Sequence, residues 1–142
     1  YGFIMKLGDA QTRNKSGKAL LSLPAKARVL QPQLVQDADN EFVVAVSNEG
    51  RMLMFPLREL PELAKGKGNK IIGIASARSE AREEFVIGVV VISRSQQLKV
   101  IAGKRHIGLK FSDLEHYMGE RGRRGSMLPR GFQKVDAIEV SE

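Results

Sequence analysis

The apolar residues of this chain come in short runs that never settle into a helical period. Phe3–Met5, Phe42–Val46, Met52–Phe55, Ile71–Ile74, Phe85–Ile92, Leu98–Ile101 and Val135–Val140 are separated by Gly and polar residues. Most are four to eight residues long and rich in β-branched or aromatic types, a composition that favours strands over helices. Asn48-Glu49-Gly50 predicts a hairpin turn between two runs, and Ser93–Gln97 predicts another. Continuous runs such as Val43-Val44-Ala45-Val46 predict strands covered on both faces. One helical turn is expected at Ser112–Tyr117, where Ser112 and Glu115 have capping-box spacing. The expectation is an all-β fold.

Length sets the scale of that fold. With 142 residues, 42% of them hydrophobic, the chain can bury a substantial core. It has no Cys, which excludes a disulfide framework, a thiolate nucleophile and Cys-ligated metal. No apolar run approaches the roughly 18–20 residues a membrane span needs. The sequence starts at Tyr1 with neither an initiator Met nor a signal-peptide pattern, and is expected to be a piece of something longer.

An internal repeat is visible. Leu60-Pro61-Glu62-Leu63 precedes Lys67-Gly68-Asn69-Lys70, and Leu114-Glu115-His116-Tyr117 precedes Arg121-Gly122-Arg123-Arg124 at the same offsets. The spacing aligns Gly68 with Gly122, and Lys15-Ser16-Gly17-Lys18 reads as an earlier, looser copy. Gly2–Leu7 likewise matches Gly50–Leu57. A repeat of about 50 residues built from several strands is the signature of propeller-like blades. The second copy is expected to lead straight into a strand at Ile71–Ile74.

Charge is distributed with the repeat. The formal net charge is +7, but four islands, Gln11–Arg28, Ala64–Arg78, Lys99–Lys110 and Gly119–Lys134, hold eighteen bases and one acid. The remainder holds five bases and fifteen acids. Such segregation predicts a polyanion-binding edge on an acidic body. A base-Gly-x-base loop suits phosphate, because Gly admits close approach to backbone N–H groups while the flanking base supplies charge. The phosphate contacts expected on this reading are Arg13, Lys15, Lys18, Lys65, Lys67, Lys70, Lys104, Arg105, Arg121, Arg123, Arg124 and Arg130. With no helix-turn-helix, zinc finger or basic helix, selectivity should come from duplex shape and bending.

The same residues argue against catalysis. His106 and His116 lack a carboxylate at metal-ligand spacing, and Tyr117 falls at an apolar position of the repeat, where a core role is expected. Met52–Phe55 reads as core. Glu83-Glu84 and Asp37/Asp39 read as solvated loop charge beside strands.

Gly50-Arg51-Met52-Leu53-Met54-Phe55-Pro56-Leu57, Leu60-Pro61-Glu62-Leu63 and Lys65-Gly66-Lys67-Gly68-Asn69-Lys70-Ile71-Ile72 resemble the C-terminal domain family of the DNA gyrase and topoisomerase IV A subunits. Gly103-Lys104-Arg105 and Gly119-Glu120-Arg121-Gly122-Arg123-Arg124-Gly125 resemble later blades of that domain. The resemblance implies a β-pinwheel, here a fragment of about two to three blades of about four strands each, in units of roughly 1–36, 37–84 and 85–142. It implies a basic rim that binds and bends duplex DNA, favouring decatenation and relaxation. It also implies a parent ATP-dependent type II topoisomerase working as two A and two B subunits, cytoplasmic and nucleoid-associated. ATP and Mg²⁺ would act in other domains, with no cofactor in this chain. Docking of a bacterial condensin is a further implication, and the alternative to DNA binding is a propeller that docks an acidic protein. The full gyrase wrapping motif is absent, which fits the topoisomerase IV branch.

Overall fold

The computed structural model describes residues 1–6, 30, 32–63, 65–74, 78–79, 81 and 83–141. Among the described residues seven strands form two antiparallel sheets: β1 (Glu41–Ser47), β2 (Arg51–Pro56), β3 (Val86–Ser93), β4 (Gln97–Ala102), β5 (Arg105–Leu109), β6 (Ser126–Met127) and β7 (Ala137–Ser141). The first sheet has the order β3-β1-β2-β6 and the second β5-β4-β7. A single helical turn, α1 (Phe111–Leu114), continues as a 3-10 turn over Glu115–Tyr117.

The centre of the fold is the β1–β2 hairpin, closed at Asn48–Gly50 with Val46 opposite Met52 and Phe42 opposite Pro56. Its uninterrupted apolar runs are covered on both faces, as their composition predicts. Alternation sends Phe42, Val44, Val46, Met52 and Met54 into one core, with Leu98, Val100 and Leu109 of the second sheet and Leu114, Leu128 and Phe132. The opposite faces, Val43, Ala45, Leu53 and Phe55, join Leu57, Ile71 and Ile72 in a second core. Met52–Phe55 is therefore core, and half-buried Tyr117 packs against the first cluster.

Four local expectations are corrected. Ser93–Gln97 is a turn, held by the Ser93 N–H donating to Gln96 Oε1 at 2.9 Å, but β3 and β4 belong to different sheets, so it is not a hairpin. Ile71 and Ile72 are buried and Ile74 half-buried, yet the Ile71–Ile74 run forms no strand. Its backbone instead bonds the 120–123 loop, where a Cβ on Gly73 would lie 2.8 Å from the Gly122 carbonyl oxygen. The helical cap lies two residues earlier than predicted: Lys110 rather than Ser112 holds the cap position, and its N–H donates to the Asp113 carboxylate at 3.1 Å. Finally, Glu84 is not solvated; its side chain is 1% exposed.

The repeat is present in a shifted register. Gly2 and Asn69 form an antiparallel bridge and Ile4 and Glu62 a parallel one. Met52 pairs antiparallel with Ser126, and Met54 parallel with Met118. Gly2 thus occupies the place of Met52 rather than Gly50, and Gly68 that of Gly125 rather than Gly122. The reason is steric. Gly68 (φ 81°) and Gly125 (φ 77°) both press against a bridged backbone segment, where a Cβ would sit 2.0 Å from the Gly2 oxygen or 2.3 Å from the Met52 oxygen. Only Gly tolerates both the left-handed backbone and that approach.

Candidate nucleic-acid interface

Two basic loops lie side by side because their backbones bond to one another. The Gly122 N–H donates to the Ile71 carbonyl at 2.9 Å and the Gly73 N–H to the Arg123 carbonyl at 2.7 Å. Arg121 Nη1 adds a bond to the Lys70 carbonyl at 2.8 Å. On its other flank the first loop is bonded to Gly2, which exchanges two 2.9 Å bonds with Asn69. Within the first loop the glycines turn inward and the bases outward: Gly66 and Gly68 are half-buried, whereas Lys65, Lys67 and Lys70 are exposed. Lys67 Nζ stands 4.0 Å from the centre of the Tyr1 ring, an attractive cation–π distance.

The second loop is less free than its sequence suggests. Arg121 is half-buried and spends a donor on Lys70. Exposed Arg123 reaches Glu120 Oε2 through Nε at 3.2 Å and Nη2 at 3.1 Å. Arg124, with a side chain 54% exposed, lies 3.7 Å from Glu84. Behind it sits an ionic cluster. Arg78 Nη1 donates to Glu84 Oε2 at 2.7 Å, Nη2 pairs with Glu49, and Nε approaches Glu83 at 3.6 Å. Burial first, then the neighbouring Glu49, push the Glu84 carboxyl above its ordinary range. Arg78 first, then Glu84, hold Glu49 below its own.

A second basic group belongs to the other sheet. Lys104 lies in the β4–β5 turn and Arg105 begins β5. With Gly131, Lys134 and Asp136 they line a recess of about 400 Å³. Arg105 Nη1 lies 2.5 Å from where a Gly131 Cβ would be, so Gly at this position lets the guanidinium reach the turn beside exposed Arg130. The Gly103 N–H donates to the Asp136 carboxylate at 2.5 Å, tying the β4–β5 turn to the segment before β7.

The twelve expected contacts therefore divide. Lys65, Lys67, Lys70, Arg121, Arg123 and Arg124 come together on adjoining loops, and Lys104 and Arg105 form a second group near the Arg130 turn. Arg13, Lys15 and Lys18 lie outside the described residues. Sequence reasoning missed the cluster of Arg78, Glu49 and Glu84. Arg78 was visible as a base within an acid-free island. Glu83 and Glu84 are adjacent acids in the bend before β3, and nothing local in the sequence separates the buried one from its exposed neighbour.

No family model matches the chain. The A subunit of DNA topoisomerase 4 from Pseudomonas aeruginosa is 52% identical over 140 residues, covering 99% of this chain and 19% of that protein. The protein of the same name from Haemophilus influenzae is 49% identical over 142 residues, 100% of this chain and 19% of the relative. The chain thus spans about a fifth of the length of these relatives. Among solved structures, the Escherichia coli ParC C-terminal domain superposes with a TM-score of 0.89 at 42% identity, covering 99% of this chain and 56% of that one. A second structure, the C-terminal domain of DNA topoisomerase IV, has a TM-score of 0.77 at 16% identity, covering 97% and 42%, and agrees in fold. The fold is the β-pinwheel of these domains.

Proposed function

We propose that this chain, a β-pinwheel like those of the topoisomerase IV relatives, holds duplex DNA by its phosphates along the paired 65–70 and 121–125 loops and bends it. The observation that supports this most directly is the bonding of the two loops edge to edge, with Lys65, Lys67, Lys70, Arg123 and Arg124 exposed along them. A row of cations on a fixed backbone suits a polyanion of regular spacing better than a compact small molecule. On this reading the chain is a non-catalytic part, in blade-like units of roughly 1–36, 37–84 and 85–142. It would select substrates for decatenation and relaxation by a cytoplasmic, nucleoid-associated parent enzyme built from A and B subunits. ATP and Mg²⁺ would act in other domains of that parent.

The test is a mobility-shift titration of linear and supercoiled duplex at two salt concentrations. If about six phosphates are neutralised, affinity falls by roughly 10³-fold between about 50 and about 200 mM salt. Replacing Arg121, Arg123 and Arg124 together by Ala weakens binding on every duplex sequence. A flat salt response, or strong preference for one sequence, sinks the reading.

The recess lined by Lys104, Arg105 and Lys134 favours a second reading, docking of an acidic protein such as a bacterial condensin, because none of its lining residues belongs to the paired loops. A partner that binds alongside saturating duplex supports it, and one that duplex displaces argues for a shared surface.

A further inference from the structure

Resting on the phosphate-binding reading of the paired loops, we infer that Glu84 is the internal counter-anion of Arg124 and limits how tightly the loop holds a phosphate chain. Glu84 stands just ahead of β3 with its side chain 1% exposed, whereas the Arg124 side chain is 54% exposed. The two are 3.7 Å apart, beyond hydrogen-bond reach, so the carboxylate does not orient the guanidinium fork. It acts through charge alone, from a low-dielectric side that solvent does not screen.

The acid is not used up by its other partners. Among the described residues, three glutamates, Glu49 from the β1–β2 turn with Glu83 and Glu84 from the segment before β3, face two arginines, Arg78 and Arg124. Arg78 takes Glu84 Oε2 at 2.7 Å, while Glu84 Oε1 is buried with no hydrogen-bond partner among the described residues. Arg124 is therefore neutralised in part from behind, while its exposed half faces solvent. A phosphate arriving there competes with Glu84 for the same cation. Protonation of Glu84, favoured by its burial and by Glu49, releases Arg124 in the same way as removal of the charge.

The experiment compares wild type, E84Q, R124A, the E84Q/R124A double variant and E83Q for binding to a short duplex at low salt. E84Q tightens binding roughly two- to fivefold, the range of a partly exposed ion pair released. The gain disappears on the R124A background, and E83Q, whose carboxylate is 63% exposed, gives a smaller gain. Unchanged or weakened binding by E84Q overturns the inference. So does a gain that survives R124A or is matched by E83Q, since either reflects net charge alone. Should E84Q fail to fold, wild type and R124A are compared between about pH 7 and about pH 5. Wild type gains more affinity on acidification than R124A if Glu84 restrains Arg124, and equal gains overturn it. Absence of duplex binding by the wild type overturns the phosphate reading itself, whereas binding that E84Q leaves untouched overturns only this step.

Discussion

Single residues hold this structure at two kinds of tight place, a backbone contact and a buried charge. At Gly125 a Cβ would meet the Met52 carbonyl oxygen at 2.3 Å, whereas at Gly103 (φ 62°) it would meet nothing within 4 Å. Both have left-handed backbone, so both substitutions carry a conformational cost of about 1–2 kcal/mol, but only one adds a collision. Gly103→Ala is expected to lose about 1 kcal/mol and Gly125→Ala at least about 2–3 kcal/mol, read from denaturant midpoints. Equal losses would refute the close-approach account. The charge cluster makes a separate prediction. The folded pKa of Glu84 is raised above its ordinary 4.5, so its contribution to stability is present below that value and is lost as pH rises through the folded one. Glu49 is lowered, so its contribution is present above the ordinary range and is lost as pH falls through the folded value. E84Q should therefore melt progressively higher relative to wild type as pH rises from about 5 to about 8. Arg78→Met removes the 2.7 Å partner and leaves Glu84 facing Arg124 at 3.7 Å. It should lower Tm at neutral pH and recover on acidification, as Glu84 takes up a proton. A pH-independent loss would assign Arg78 to packing instead.

At the scale of elements, the hairpin β1–β2 is unusual in having no solvent face. Val44 and Phe55 are both 0% exposed yet lie in different cores. Phe55→Ala is expected to cost about 3–5 kcal/mol, measured by chemical denaturation, and a loss below about 1 kcal/mol would mean the second core collapses to fill the space. That two-faced burial was legible in the sequence, because Val43-Val44-Ala45-Val46 offers no polar residue for a wet face. β5 was not legible. Arg105-His106-Ile107-Gly108-Leu109 is an edge strand whose exposed residues carry no apolar pattern. Ile71–Ile74 failed in the opposite sense: Ile71 and Ile72 are buried, but Gly73 allows an approach to a neighbouring loop that replaces a sheet ladder. The repeat was seen through its chemistry and misaligned for that reason. Matching bases paired Gly68 with Gly122, whereas the backbone pairs Gly68 with Gly125, because sterics rather than charge fix the position.

For the whole molecule, charge segregation was the most informative sequence property and burial the least accessible one. The islands predicted which loops carry cations, and the fold brought two of them into contact. Composition did not reveal that Arg123 and Arg124 are shared with Glu120 and Glu84, so the free charge of the second loop is smaller than its count. Long-range contacts between Arg124 and the segment before β3, or between Arg105 and Gly131, depend on how the sheets close and have no local sequence signal.

The bonds joining Ile71 and Gly73 to Gly122 and Arg123 have an entropic meaning. Adjacent loops fixed at backbone hydrogen-bond distance do not bind as independent sites. Once one loop has engaged a polyanion, the other is already at high effective concentration and needs no further search. On the phosphate-binding reading the pair would act as a chelate whose ordering was completed when the chain folded, with much of the entropic cost of the second contact removed before any partner arrives.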